Sequence, residues 1–303
     1  MRLALLFSGQ GQQTLEHLTF LRENTRADTS EVLAKALGNV WTETGQTAID
    51  LSTNVIAQPL IFGFEMAWWE MLKPFLPTPV CAAGYSLGEM AACAAAGLFP
   101  DQAGISLCHE RARLMDLNTS GEVSMLAVLG LHEAQVAVIA AQHGLAIAIR
   151  NSPTHFVVTG AATAVNRAAS GFAAAGASKL TPLAVRTPSH TQFLSAASEA
   201  FEAYLQPYRQ GTLRFPVISA MTGKMAYTAD AAGVALAAQI SSMLRWDDAL
   251  ETLVEMRPDV VLEIGPGNAL TKMLADMAPS MPVRSVCDFK TARGVLDWLG
   301  RFD

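Results

Sequence analysis

Ser86 lies in a sequence pattern that is typical of an activated serine nucleophile. The pattern is G-x-S-x-G, from Gly84 to Gly88, and it follows the apolar run VCAA and precedes a stretch compatible with a helix. A strand that turns sharply into a helix needs glycines beside the serine, because a Cβ atom there would crowd the turn. The serine hydroxyl would project from the strand end, beside the free N–H groups of the helix N-terminus. The flanking strand and helix favour a nucleophile over a purely structural Gly-Ser turn.

A serine hydroxyl needs a base, and the chain offers six histidines. His190 differs from the others because it follows a strand and a proline turn in RTPSHTQF. At that point the chain re-enters the larger of two predicted domains, and clefts form at domain junctions. His190 is therefore the candidate base. The remaining histidines are predicted to be bystanders: His17, His109, His132, His143 and His155.

The elements that would position these side chains alternate between strands and helices. Short apolar runs, each followed by a glycine-containing turn, predict buried strands at Leu3 to Phe7, Val80 to Ala83 and Val260 to Ile264. Helix-length stretches lie between them, at Ala57 to Leu72 and Leu87 to Ala96. This alternation predicts an α/β protein with a parallel sheet.

The segment from about Ser124 to Val185 has a different order of elements. Its apolar runs and turn residues predict a βαββαβ succession, which is the ferredoxin-like split motif. We therefore predict two domains in the chain. Residues 1–122 and 192–303 would form a large α/β-hydrolase-like domain with a parallel sheet, and residues 123–191 a small inserted ferredoxin-like domain.

Composition narrows the class of protein. The 303 residues are 51% hydrophobic and 16% charged, which is the profile of a well-packed globular enzyme. A formal net charge of -6 gives no basic surface for a nucleic acid, and no apolar stretch is long enough to predict a membrane span. Four widely spaced cysteines predict neither a metal site nor a disulfide framework, and they fit a reducing, cytoplasmic location: Cys81, Cys93, Cys108 and Cys287.

Six short motifs in series resemble the malonyl-CoA:acyl-carrier-protein transacylase family. Each motif alone is weak, but their order and spacing run across nearly the whole chain. The motifs are FSGQGQQ (Phe7 to Gln13), AQP (Ala57 to Pro59), GYSLGE (Gly84 to Glu89), RARLM (Arg111 to Met115), PSH (Pro188 to His190) and EIGPG (Glu263 to Gly267).

The resemblance implies roles for individual residues. Ser86 would be the acylated nucleophile and His190 its base, as a Ser-His dyad. The backbone N–H groups of Gln10 and Leu87 would form the oxyanion hole. Arg111 would bind the free malonyl carboxylate through a bidentate, charge-assisted pair; without the resemblance, the sequence does not distinguish it from Arg113, and either could be a solvated helix residue.

Two further residues receive weaker assignments from the same resemblance. A backbone carbonyl in the segment before Trp246 orients the histidine in the family, and we place that carbonyl at Gln239. Asn151 resembles a residue that lines the cleft from the small domain, although an ordinary turn asparagine would have the same surroundings in the sequence.

Two departures from the family pattern point to a branch of the family. Tyr85 replaces the usual histidine before the serine, and the opening turn is GQGQQ rather than GQGSQ. Together with the stretch from Arg284 to Leu299, the GYS sequence resembles the transacylase (epsilon) subunit of bacterial malonate decarboxylase. The acceptor would then be a small carrier protein with a phosphoribosyl-dephospho-CoA group, and other decarboxylase subunits would be further partners.

The expected function is malonyl transfer from malonyl-CoA to a carrier-protein thiol, without a bound cofactor or metal. The alternative is the equivalent transacylase of fatty-acid or polyketide synthesis. A serine hydrolase or thioesterase is less favoured, because no histidine follows His190 and an HGGG-type segment is missing. A non-catalytic binding subunit is disfavoured because the four principal site residues are all present: Ser86, His190, Gln10 and Arg111.

Overall fold

The computed structural model describes residues 1–42 and 50–303, which form an α/β fold with two mixed sheets. The strands in this part of the chain are β1 (Leu3–Phe7), β2 (Cys81–Gly84), β3 (Val123–Leu129), β4 (Ala146–Ser152), β5 (His155–Ala161), β6 (Lys179–Leu183), β7 (Thr212–Ile218), β8 (Met225–Thr228), β9 (Leu244–Arg245), β10 (Val260–Ile264) and β11 (Val283–Ser285). The α-helices are α1 (Leu15–Asn24), α2 (Ala27–Leu37), α3 (Asn39–Thr42), α4 (Asn54–Leu72), α5 (Gly88–Ala95), α6 (Asp101–Leu117), α7 (Glu133–Gln142), α8 (Ala162–Ala174), α9 (Ser195–Leu205), α10 (Ala229–Ala238), α11 (Trp246–Glu255), α12 (Ala269–Met277) and α13 (Ala292–Leu299).

The larger sheet has the strand order β11-β10-β1-β2-β7-β8. Its first five strands are parallel, and every residue of β1 and β10 is buried, as expected for strands covered on both faces. The prediction of a purely parallel sheet is wrong at one edge, where β8 pairs antiparallel with β7. Only residues 219–224 connect these two strands, and so short a connection permits an antiparallel return but no crossover.

The smaller sheet has the strand order β6-β3-β5-β4-β9. Its chain order β3-α7-β4-β5-α8-β6 is the βαββαβ succession expected for this segment. The fifth strand was not predicted: β9 lies beyond residue 191 and pairs in parallel with Ile149 and Arg150 of β4. The part of the chain that follows the insert therefore returns to complete the small sheet.

The two sheets share a hydrophobic core. Ala4 and Ala83 of the larger sheet belong to the same buried cluster as Met125 and Ile149 of the smaller one, with Trp246 at the start of α11. On its other face the small sheet packs against α7 and α8. The small sheet therefore faces the larger one across this shared cluster, with α11 in contact with both β4 and β2, and its inner face can form one wall of a cleft.

Local boundaries differ slightly from those predicted. β2 runs one residue later than the predicted Val80 to Ala83, and α5 is one residue shorter at each end than Leu87 to Ala96. α4 begins at Asn54, three residues before the predicted start, and contains Pro59. The carboxyl end of β2 leads directly into Ser86, at the edge of the parallel strands where α/β folds bind their ligands.

Candidate active site

The turn between β2 and α5 holds Ser86 in a strained conformation. Its φ is +53°, in the left-handed region that non-glycine residues seldom adopt. A Cβ atom on Gly84 would lie 2.1 Å from the backbone of Gly88, and one on Gly88 would lie 2.1 Å from the carbonyl oxygen of Phe7. Both flanking glycines are therefore required by backbone contacts, and the turn exposes the serine hydroxyl at the strand end.

Ser86 and His190 are in contact. The Oγ atom of Ser86 lies 2.7 Å from Nε2 of His190, and Nδ1 of His190 lies 2.6 Å from the carbonyl oxygen of Gln239. A carbonyl oxygen can only accept, so Nδ1 carries the proton and Nε2 is left to accept from the serine hydroxyl. The backbone N–H of His190 also donates to the carbonyl of Ile240 at 2.9 Å. One short segment thus holds both the backbone and the ring of the histidine.

The environment of His190 keeps its ring neutral. Burial and, to a smaller extent, the positive charge of Arg111 lower the pKa of His190 to about 3, although the hydrogen bond to the Gln239 carbonyl acts in the opposite direction. The side chain is only 2% exposed. A neutral imidazole is the form that accepts a proton from a hydroxyl, so the ring is available as a base at ordinary pH.

Arg111 is buried on α6, and in residues 1–42 and 50–303 it forms no ion pair with a carboxylate. Nη1 donates to Oε1 of Gln58 at 2.9 Å, and Nη2 donates to Oε1 of Gln239 at 3.5 Å, while Nε has no partner among the described residues. Burial lowers the pKa of Arg111 to about 10, although Cys108 and Glu89 favour the charged guanidinium. A buried guanidinium with free donor capacity is suited to bind an anionic group.

Arg113 is placed differently from Arg111. It lies on the exposed side of α6 and forms an ion pair with Glu110. The structure therefore distinguishes the two arginines that the sequence left equivalent: only Arg111 reaches the interior.

A cavity of about 80 Å³ lies between the Ser86–His190 pair and Arg111. Gln58 and Arg111 form its polar end. Side chains of the small sheet form an apolar wall: Met125, Ile149 and Leu183. The cavity is thus shared between the two sheets and offers a cation at one end and a hydroxyl with its base at the other.

Gln10 and Leu87 are the two residues whose backbone N–H groups are predicted to form an oxyanion hole. Gln10 lines the cavity, and its side-chain amide is engaged with the carbonyl of Ser52 at 3.1 Å. Across residues 1–42 and 50–303, neither the backbone N–H of Gln10 nor that of Leu87 donates a hydrogen bond to another protein atom. The neighbouring N–H groups of Gly88 and Glu89 are already occupied within the turn. Two free donors therefore remain beside the nucleophile.

Asn151 lies beside the nucleophile turn. Its Oδ1 atom accepts a hydrogen bond from the Tyr85 hydroxyl at 3.0 Å, and its Nδ2 lies 3.4 Å from Nε2 of His155. Tyr85 and Ile149, two residues earlier on β4, both line the cavity. The contact of Asn151 itself with the cleft stays a prediction.

Three side chains of the site were missed at the level of sequence. They are the side chains of Gln58, Glu89 and Gln239. Gln58 and Glu89 fall inside the AQP and GYSLGE motifs. The Nε2 atom of Gln239 donates to the Ser86 carbonyl at 3.1 Å and to Glu89 Oε2 at 3.4 Å. Burial raises the pKa of Glu89 to about 8. The motifs marked two of these positions, but each partner comes from a distant part of the chain.

The remaining histidines and the cysteines do not line the cavity that Ser86 and Arg111 share. His17 accepts from the Thr14 N–H at 2.9 Å, while His132 and His143 flank α7. All four cysteines are free. In the described residues no cluster of three or more His, Cys, Asp or Glu side chains is arranged to hold a metal ion. The helices of the described part include none that is both long and apolar enough to cross a membrane.

Comparison with known proteins identifies the family. The family described as acyl transferase domain matches residues 22–295 of the chain. This chain belongs to that family. It is 30% identical over 309 residues to the malonyl CoA-acyl carrier protein transacylase of Haemophilus influenzae, an alignment that covers 97% of this chain and 99% of the relative.

Two further similarities concern other kinds of relative. The polyketide biosynthesis protein ThaF of Burkholderia thailandensis is 33% identical over 283 residues, which are 91% of this chain but 24% of ThaF. The chain thus spans about a quarter of that relative's length. A solved structure, described as a type II PKS acyl-carrier protein in complex with its malonyl-transacylase, matches with a TM-score of 0.87 and 27% identity over 98% of this chain and 99% of the other.

The transacylase family predicted from the six motifs is therefore confirmed, and the chain is an acyltransferase. The same result disfavours the serine hydrolase and non-catalytic alternatives. The narrower assignment to malonate decarboxylase stays a prediction, since these relatives are transacylases and proteins of polyketide biosynthesis.

Proposed function

We propose that this acyltransferase moves a malonyl group from malonyl-CoA to the thiol of a small acyl carrier protein through a malonyl ester of Ser86. One observation carries the proposal: the Ser86–His190 pair lines the same cavity as Arg111, whose guanidinium has no carboxylate partner among the described residues. Malonyl is an acyl group with a second carboxylate, so it matches both ends of that cavity. Transacylases of this type take malonyl-CoA as substrate and need no cofactor.

The first half-reaction would acylate the serine. Nε2 of His190 takes the proton from Ser86 Oγ as the oxygen attacks the thioester carbonyl, and the backbone N–H groups of Gln10 and Leu87 bind the oxyanion. The C–S bond then breaks, and the imidazolium returns its proton to the departing CoA sulfur. In the second half-reaction a carrier thiol gives its proton to His190 as its sulfur attacks the malonyl ester. The bond between the acyl carbon and Ser86 Oγ then breaks, and the imidazolium returns the proton to that oxygen, which restores the free serine.

Arg111 would select the acyl group. Its guanidinium is held by the side-chain amides of Gln58 and Gln239 and has donor capacity left for a carboxylate. Malonyl would supply that carboxylate, whereas acetyl would leave a buried cation unpaired. Selectivity for malonyl over acetyl should therefore depend on the Arg111 side chain.

Replacement of Arg111 by alanine is expected to lower the preference for malonyl-CoA over acetyl-CoA by roughly 100-fold, because a buried charge pair with the substrate is lost. The measurement is kcat/KM for acylation by each thioester. Arg113→Ala is the matched control, since it removes an exposed arginine two residues away and should leave the ratio unchanged. An unchanged ratio in Arg111→Ala would remove this residue from substrate binding.

A second proposal concerns the acceptor, which we place in malonate decarboxylase on the strength of Tyr85 and the C-terminal segment. That segment has an ordered packing, with the Arg284 guanidinium 4.0 Å from the centre of the Phe289 ring and 5.9 Å from that of Trp298. The transacylase in the solved complex binds an acyl-carrier protein of type II polyketide synthesis, which supports the more general acceptor.

Incubation with malonyl-CoA and purified carrier proteins tests both proposals. Two carriers are compared at equal concentration, one with a phosphopantetheine arm and one with a phosphoribosyl-dephospho-CoA group, and their intact masses are followed with time. We expect malonyl to appear on a carrier thiol, and faster on the second carrier if the decarboxylase assignment is correct. If neither carrier acquires malonyl, the proposed function is wrong.

The chain is also proposed to fold as two domains. We infer an α/β-hydrolase-like domain at residues 1–122 and 192–303 and a ferredoxin-like insert at residues 123–191. The strand order β6-β3-β5-β4 and the βαββαβ succession support the insert. The fifth strand, β9, would be contributed by the large domain.

A further inference from the structure

Tyr85 connects the nucleophile turn to the opposite wall of the cavity. It directly precedes Ser86, and its hydroxyl donates to Oδ1 of Asn151 on β4 at 3.0 Å. Its ring packs edge-to-face on Trp246, with 5.2 Å between ring centres. Burial raises the pKa of the Tyr85 hydroxyl well above its usual value, so the group remains a donor and takes no part in proton transfer. The proposed mechanism makes no use of this hydrogen bond of the nucleophile turn.

β4 is irregular around Asn151. Its pairing with β5 shifts in register between Ile147 and Ile149 and again between Arg150 and Ser152. Ile149 and Arg150 have strand partners on both β5 and β9, whereas Asn151 lies at a register shift and has none on either strand, so its side-chain contacts help to determine where it lies. Arg150 anchors the segment through an ion pair of 2.8 Å with Asp247, and the Tyr85 hydroxyl anchors it at Asn151.

Ile149 lies on the same bulged segment and forms part of the apolar wall. It is 5% exposed and lines the cavity of about 80 Å³ that contains Ser86 and Arg111. Tyr85 lines the same cavity, so its bond to Asn151, two residues after Ile149, ties the nucleophile turn to this wall. The hydrogen bond therefore limits how far the wall can retreat.

We propose that Tyr85 determines substrate specificity as a positioning residue: its bond to Asn151 holds Ile149 against the acyl cavity and excludes malonyl groups that carry a substituent on the α-carbon. The proposal rests on the malonyl transfer proposed above. An α-methyl group needs extra space beside the bound acyl chain, and a close-packed wall provides it only by moving. Methylmalonyl-CoA keeps the carboxylate that Arg111 would bind, so Arg111 does not discriminate against it.

Tyr85→Phe tests the proposal, because it removes the hydroxyl and keeps the ring on Trp246. We expect the ratio of kcat/KM for malonyl-CoA to that for methylmalonyl-CoA to fall about tenfold, the size of effect typical of one methyl group in an apolar pocket. Acylation is measured in single turnovers by intact mass. A ratio equal to that of the unmodified protein overturns the proposal.

A double-mutant cycle tests whether Asn151 carries the effect. Asn151→Leu removes the acceptor and should lower the ratio as Tyr85→Phe does, and the double variant should lower it no further. Additive effects of the two substitutions would show that Tyr85 acts by another route and would overturn the proposal. Because the two single variants test the same contact independently, misfolding of one of them would not leave the proposal untested.

A control separates positioning from a general loss of rigidity. Thr252→Val removes a hydroxyl that donates to the Gly223 carbonyl at 2.6 Å, far along α11 from Tyr85. It should leave the malonyl preference unchanged, and a comparable fall in this variant would overturn the proposal. Failure of the proposed function is distinguishable, because the unmodified protein would then acquire no malonyl at all.

Discussion

Alanine at position 86 is expected to abolish malonyl transfer, with a loss on the order of 10⁴-fold or more. The acyl group would have no oxygen on which to reside, because Ser86 Oγ lies 2.7 Å from His190 Nε2 and no other hydroxyl in the described part of the chain hydrogen-bonds to that nitrogen. Intact mass after mixing with malonyl-CoA should show one malonyl adduct on the unmodified protein and none on Ser86→Ala. Peptide mapping should place the adduct on Ser86.

The matched control is Ser189→Ala. Ser189 adjoins the histidine in sequence, but its hydroxyl donates to the Thr187 carbonyl at 3.4 Å rather than to the ring. This variant should still form a malonyl adduct. An adduct of undiminished yield on Ser86→Ala would contradict the proposed acyl-enzyme.

Replacement of His190 by alanine is expected to lower kcat for transfer by roughly 10²- to 10⁴-fold, the usual contribution of a general base. The serine would remain in its turn, because the strained backbone at Ser86 is set by Gly84 and Gly88 and does not depend on the ring. A slow malonyl adduct should therefore still accumulate on this variant. His143→Ala, at the end of α7, is the control and should transfer malonyl at the normal rate.

The pH dependence of the unmodified protein gives an independent measure of the same histidine. Protonation of His190 would stop catalysis, and its pKa of about 3 in the free protein lies far below neutrality. Acylation kcat/KM should therefore show no loss from His190 protonation between about pH 7 and about pH 5. Bound malonyl would neutralise Arg111 and raise the pKa of His190, so the acid limb of kcat should lie at higher pH than that of kcat/KM. A titration of both parameters at about pH 6.5, the ordinary histidine value, would contradict this account.

Local sequence was sufficient for the nucleophile turn and the central strands. β1 and β10 have the predicted bounds because a continuous apolar run is a direct sign of a strand buried on both faces. The glycines beside Ser86 were predicted from the lack of space for a Cβ atom, and the structure shows backbone within 2.1 Å of each such position. Both features depend on residues that are neighbours in the chain.

Features built from distant segments were not predicted. β9 has two residues and no periodicity of its own, so its pairing with β4 could not be inferred. The antiparallel edge at β8 depends on which strand follows a short turn, and the hydrogen bond between Tyr85 and Asn151 joins side chains 66 positions apart. These features depend on which distant segments pair and in which register, and the local sequence of either segment does not show this.

The sequence by itself determined the family, the nucleophile turn and the types of residue at the site. Only the tertiary structure decided which side chains meet: Ser86 and His190 lie 104 positions apart and come within 2.7 Å. It also separated Arg111, buried beside Gln58, from Arg113 on the surface, and it joined Tyr85 to Asn151. A turn is specified by sterics between neighbouring residues, whereas burial and hydrogen-bond partners depend on how distant elements pack.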